Sequence, residues 1–93
     1  MNKCSFFGCV DDMVLETIND SQVVYLKIQI ENKRQSKIKS KIDYEFLDFE
    51  AWGTAAITIA NHVNIGDDIL IVDATARQNY DSVCFRINEF RLI

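Results

Sequence analysis

Proline is absent from this 93-residue chain and glycine occurs only three times. A flexible linker or a low-complexity tail cannot be built from such a composition. Cysteine is scarce as well: Cys4, Cys9 and Cys84 form no Cys-x-x-Cys pair, and an odd count fits reduced thiols better than a disulfide framework. No apolar run approaches membrane-spanning length, and no basic, apolar, small-residue leader opens the chain. The sequence therefore reads as soluble and unsecreted, with no membrane partner and a reducing cytosol as its simplest home. No internal repeat is evident. The whole chain, residues 1–93, is expected to form one domain around one modest core.

Catalytic groups are missing too. The single histidine, His62, falls near the end of a short helical segment, where a polar surface role is expected. No serine or cysteine has an evident partner that would make it a nucleophile. Asp11-Asp12 and Asp67-Asp68 are read as turn residues, where aspartate serves local hydrogen bonding, rather than as cation ligands. Cys4, Cys9, Cys84 and His62 show no recognised zinc spacing, so buried free thiols are expected. The expectation is a non-enzyme with neither metal nor cofactor.

What is present is mostly strand. Alternation or apolar runs cover residues 3–10, 22–31, 42–52, 68–77 and 83–92, and five strands suggest a small barrel. In the third, alternation puts Leu47, Phe49 and Ala51 on a core face and Tyr44, Phe46, Asp48, Glu50 and Trp52 on the other. Rings set among charges on a solvated sheet face suit stacking on a flat ligand better than building an interior. The second strand repeats the pattern, with Val24, Leu26, Ile28 and Ile30 inward and Tyr25, Lys27 and Gln29 outward.

Turn chemistry separates the strands. Asn19-Asp20-Ser21 and Asn64-Ile65-Gly66-Asp67 are turn signals, and Asp81-Ser82 joins the last two strands. From Thr54 to Val63 the period changes: Ala56, Ile59, Ala60 and Val63 recur at helical spacing, with Thr54 placed to cap the start. The resulting layout is all-β: a five-stranded Greek-key barrel with one short α-helix between strands 3 and 4, the arrangement of the oligonucleotide- and oligosaccharide-binding (OB) fold.

Charge is uneven. The formal net charge is −4, yet Lys33, Arg34, Lys37, Lys39 and Lys41 lie in one nine-residue run without an acid. The rest of the chain carries five basic residues against fourteen acidic. A positive arm on an acidic body can track a phosphodiester backbone, or simply be a solvated loop.

Across nearly its whole length the chain resembles the bacterial and phage single-stranded DNA-binding proteins. Met1-Asn2-Lys3 followed by Phe6-Phe7-Gly8-Cys9-Val10 is similar to that family's Asn-Lys start and strand-ending glycine. Phe49-Glu50-Ala51-Trp52-Gly53, the helix end Ala60-Asn61-His62-Val63, Gly66-Asp67 and Ile69-Leu70-Ile71-Val72 are similar to its central signature. The resemblance implies base stacking on Phe46, Trp52 and Tyr80. It makes the run from Lys33 to Lys41 a long hairpin over the DNA and Arg77 a further phosphate contact. Lys27 and Lys3 follow, and Arg86 and Arg91 rank last.

The same resemblance implies single-stranded DNA as partner, a role in DNA replication, recombination or repair, and a homodimer or homotetramer paired through the first strand in a bacterial or phage-infected cell. Cys9, Asp11, Asp48 and Glu50 depart from the family's pattern. The chain also stops at Ile93, with no acidic tail to recruit partners, which suggests a viral, plasmid or accessory member. Two rival expectations stand beside it: a tailless replication accessory of primosomal type, and a protein-interaction module. RNA stays open as an alternative strand, since no residue obviously reads a 2′-hydroxyl.

Overall fold

The computed structural model describes residues 4–32, 43–79 and 82–93. Its elements are β1 (Cys4–Ile18), β2 (Ser21–Asn32), β3 (Asp43–Trp52), α1 (Thr54–His62), β4 (Asp68–Asn79) and β5 (Ser82–Leu92). The strands close into a barrel in the order β1-β2-β3-β5-β4, with β4 returning to β1. All neighbours are antiparallel except β3 and β5, which run parallel over Asp48–Glu50. Among the described residues no helix is long and apolar enough to cross a membrane.

β1 is longer than the expected 3–10. Asp11-Asp12 does not turn the chain; the pairing with β2 shifts register between Val10 and Asp12 and then continues to Ile18. Asp12 Oδ1 accepts the Met13 N–H at 2.9 Å, so the local bonding expected of an aspartate occurs inside a bulged strand. The hairpin that follows turns at Asn19 (φ 49°) and Asp20 (φ 65°), between partners Ile18 and Ser21. A two-residue loop with both φ positive matches the right-handed twist of its strands, and Asn and Asp tolerate that conformation.

Gly8 lies inside β1 rather than at its end. It stands where β1 passes from β4, paired over Cys4–Cys9, to β2, paired from Cys9 onward. A Cβ there would lie 2.5 Å from the Gln29 carbonyl oxygen and 2.6 Å from Ile28 Cγ2. The barrel's corner is thus closed by backbone approach that a side chain would obstruct. Beside it, Val10 N–H donates to Asp67 O (2.8 Å) and Gly66 N–H to Val10 O (2.7 Å), tying the turn after α1 to β1.

The interior follows the expected alternation. Val24, Leu26 and Ile28 of β2, Phe49 and Ala51 of β3, and Ile69, Ile71 and Ala74 of β4 are buried with Val10 and Ile87. Ile71 and Ala74 both face inward because β4 carries register shifts around Asp73. Phe6, Phe49 and Phe85 meet with ring centroids 4.9–5.4 Å apart, within the range of favourable aromatic pairs. Ala56, Ile59 and Val63 of the helical segment join the core, so α1 plugs one end of the barrel.

Thr54 does not cap α1. The N-cap is Gly53 at φ 63°, with no side-chain cap hydrogen bond; its N–H donates to Gln22 O at 2.8 Å, fastening the helix start to β2.

Candidate nucleic-acid interface

The outward face of β1, β2, β3, β5 and β4 is organised as cross-strand rows, because register fixes which side chains stand opposite one another. One row reads Val14, Tyr25, Glu50, Arg86, Thr75, and the next Asp12, Lys27, Asp48, Cys84, Arg77. A third runs from Cys9 through Gln29 to Phe46. Phe46 is 52% exposed and Tyr44 54% exposed, both on β3, so the strand's outer rings are turned to solvent as alternation predicts. Tyr44 lines a small depression with Phe7, Gly8, Cys9 and Gln29. A larger open depression of about 260 Å³ includes Asp12, Val14, Tyr25, Lys27, Asp48 and Cys84 in its lining.

Glu50 departs from the expected solvated position: it is 8% exposed. The cause lies on other strands. Arg77 Nη1 donates to Glu50 Oε1 at 3.2 Å, and Arg86 Nε stands 3.4 Å from the same oxygen. The enclosed carboxylate is thus met by two guanidinium groups, which compensate its loss of water contacts. Arg77, expected as a phosphate contact, therefore already holds an internal anion. Arg86, ranked last on sequence grounds, is brought to the centre of the face, with its guanidinium carbon 5.3 Å from the Trp52 ring centroid. Trp52 is half-buried, and its indole N–H is buried without a hydrogen-bond partner.

Desolvation, followed by the Glu50 and Asp48 carboxylates, pushes the Cys84 thiol up to about 11 from its ordinary 9.0. The Tyr25 phenol is raised above 10.0, first by desolvation and then by Glu16, Glu50 and Cys84. All three cysteines are free and partly rather than fully buried. Among the described residues no cluster of three or more His, Cys, Asp or Glu is placed to hold a metal.

The structure thus brings Tyr25, Lys27, Phe46, Trp52 and Arg77 onto one outward face. Lys33, Arg34, Lys37, Lys39, Lys41, Tyr80 and Lys3 lie outside the described residues. Arg86 and Glu50 are the members that sequence reading placed wrongly or late. The outward alternation of β5, with Ile87 inside and Arg86 outside, marked the first as surface; nothing local marked the second as buried.

The closed order β1-β2-β3-β5-β4 with a helix between β3 and β4 is the OB fold. Solved structures share it across the whole chain. The protein PriB from Ralstonia solanacearum superposes with a TM-score of 0.80 at 8% identity, over 99% of this chain and 97% of that one. The SSB domain of a Synechococcus sp. protein gives 0.78 at 16% identity, over 97% and 93%. The single-stranded DNA-binding protein from Thermus aquaticus gives 0.79 at 19% identity, over 100% of this chain and 40% of that one. No family model matches the sequence, and no curated protein matches it. The expected fold is therefore established by architecture, at identities where the likeness is one of fold.

Proposed function

We propose that this chain binds single-stranded DNA without marked sequence preference, stacking bases on exposed aromatic rings and pairing phosphates with cationic side chains. In this role it protects unwound strands during DNA replication, recombination or repair, and carries out no reaction of its own. The observation that carries the reading is Phe46, half exposed on the outer face of β3 opposite Gln29, just before the stretch where β3 meets β5, with Tyr44 two residues away on the same face. Every base offers a π face, so such platforms serve any sequence. The single-stranded DNA-binding proteins among the structural neighbours support the same reading.

The basic run Lys33, Arg34, Lys37, Lys39 and Lys41 supplies phosphate contacts in this account, with Tyr80 a further stacking ring and Tyr25 and Lys27 bordering the path. A single domain of this kind covers about 4–16 nucleotides, so coating a strand takes several copies. Among the described pairings Cys4–Gly8 bonds only to β4. Its other edge is where a second copy would add in a homodimer or homotetramer.

Trp52 is the single tryptophan, so its emission reports on the face directly. Titration with oligothymidylate at low salt is expected to quench it and to shift the protein's mobility, with affinity falling as salt rises. No quenching and no shift at low salt would overturn the reading. Quenching undiminished in a Lys37→Ala/Lys39→Ala variant would remove the basic run from it.

A second reading, a replication accessory of primosomal type or a protein-docking module, draws on the carboxylates that offset the cations of the described face. Glu50 pairs with both Arg77 and Arg86, offsetting one of their two charges, and Lys27 stands in register between Asp12 and Asp48. Retention on an immobilised partner without any oligothymidylate binding would favour it.

A further inference from the structure

Around Glu50 the face holds more hydrogen-bond donors than its own acceptors use. Arg86 Nε lies near the carboxylate but is buried without a hydrogen bond, and Trp52 Nε1 is buried without one as well. Buried donors are ordinarily satisfied, so two orphans at one place call for an acceptor. A depression of about 150 Å³ opens there, lined by Glu50, Trp52, Arg77, Gln78 and Cys84; Arg86 stands beside it, against Glu50 and the Trp52 ring, rather than in its lining. The side chains of Arg77 and Arg86 remain 49% and 39% exposed while that of Glu50 is 10% exposed, so both arginines are reachable from solvent where the carboxylate is largely covered. A carboxylate and a phosphodiester present the same chemistry to arginine: delocalised negative charge on oxygen acceptors.

We propose that Arg77, Arg86 and the indole N–H of Trp52 form a site for one phosphate group, and that Glu50 occupies it as an internal anion with which that phosphate competes. The inference rests on the strand-binding reading for its natural ligand, a phosphodiester of a bound strand. It makes Glu50 a limiter of affinity rather than a contact: each bound strand must loosen an ion pair before it forms one.

The test compares the full chain with Glu50→Gln, using two probes, oligothymidylate and inorganic tripolyphosphate, each followed by Trp52 emission. Removing the internal charge is expected to tighten binding of both by roughly tenfold, the difference between an unopposed and an opposed charge-assisted pair. The salt dependence for oligothymidylate should steepen by about 0.7 in log–log slope, the counterion release of one further phosphate on a single strand. Arg77→Gln should cost more affinity in the Glu50→Gln background than in the unaltered protein. Should Glu50→Gln fail to fold, Glu50→Asp replaces it; the retracted carboxylate is expected to act in the same direction with smaller size.

A folded variant that binds neither probe more tightly overturns the proposal. Tighter tripolyphosphate binding without oligothymidylate binding by any form sustains the anion site and overturns the strand-binding reading instead.

Discussion

The guanidinium carbon of Arg86 stands 5.3 Å from the centre of the Trp52 ring, so one face of the indole is covered from within the molecule. Arg86→Ala uncovers it and takes one of two cations from Glu50. The expected outcome is a red shift of Trp52 emission. Urea unfolding should show a stability loss of about 1 kcal/mol, since a cation–π contact at a partly exposed site contributes about 0.5–1 kcal/mol. Unchanged emission would mean that the contact does not persist in solution.

Phe46 and Phe49 lie on opposite sides of one strand, and truncating each should separate binding from stability. Phe46→Ala is expected to weaken oligothymidylate binding by about 1–3 kcal/mol while leaving the thermal midpoint in place, because the ring is half exposed. Phe49→Ala empties the centre of the Phe6–Phe49–Phe85 cluster and should cost about 3–5 kcal/mol of folding stability. Unfolding caused by Phe46→Ala would assign that ring to the core.

Gly8 and Gly53 should fail for different reasons. Gly8→Ala drives a methyl group into the Gln29 carbonyl and Ile28, with an overpacking cost of about 1–3 kcal/mol or more. Gly53→Ala meets no atom within 4 Å, but its φ of 63° with ψ −128° is a conformation that alanine scarcely adopts, which costs about 1–3 kcal/mol. Denaturant midpoints should therefore fall for both, and an unchanged midpoint for Gly8→Ala would contradict the close approach at the barrel corner.

Alkali should loosen the domain through Cys84. Its thiol is raised to about 11 in the fold against 9.0 ordinarily, so above pH 9 the unfolded chain loses a proton that the folded one keeps. Stability then falls as pH rises from 9 to about 11 and levels off beyond; Tyr25, raised above 10.0, adds to the same trend. In a Cys4→Ser/Cys9→Ser variant the iodoacetamide rate should still climb past pH 10. A plateau near pH 9 would contradict the enclosure of Cys84 by Glu50 and Asp48.

Alternation made β2 and β3 legible, and with them the outward Phe46 and the inward Phe49, because a period of two needs no knowledge of neighbours. The helix was legible from its change of period. The far half of β1 was not: Asp11-Asp12 has turn composition, and only pairing with β2 holds it extended. Nor was the burial of Glu50, which depends on a parallel contact between β3 and β5 and on Arg77 arriving from β4. Such meetings are set by barrel closure, and no local pattern encodes them. For the same reason Arg86 looked incidental in the chain and proves central in the fold.

The turn after α1 shares its fate with the strands. Because the Val10 amide and carbonyl are both bonded to it, this turn opens only by releasing two hydrogen bonds to β1 at the place where that strand changes partners. Local fluctuations that normally expose loop amides are opposed by that pair of bonds. In deuterated water the Gly66 amide should exchange more slowly than the neighbouring amide of Ile65, although it lies between a helix and a strand. The protein's cooperative unit therefore extends past its sheet and takes in the connection that seals it.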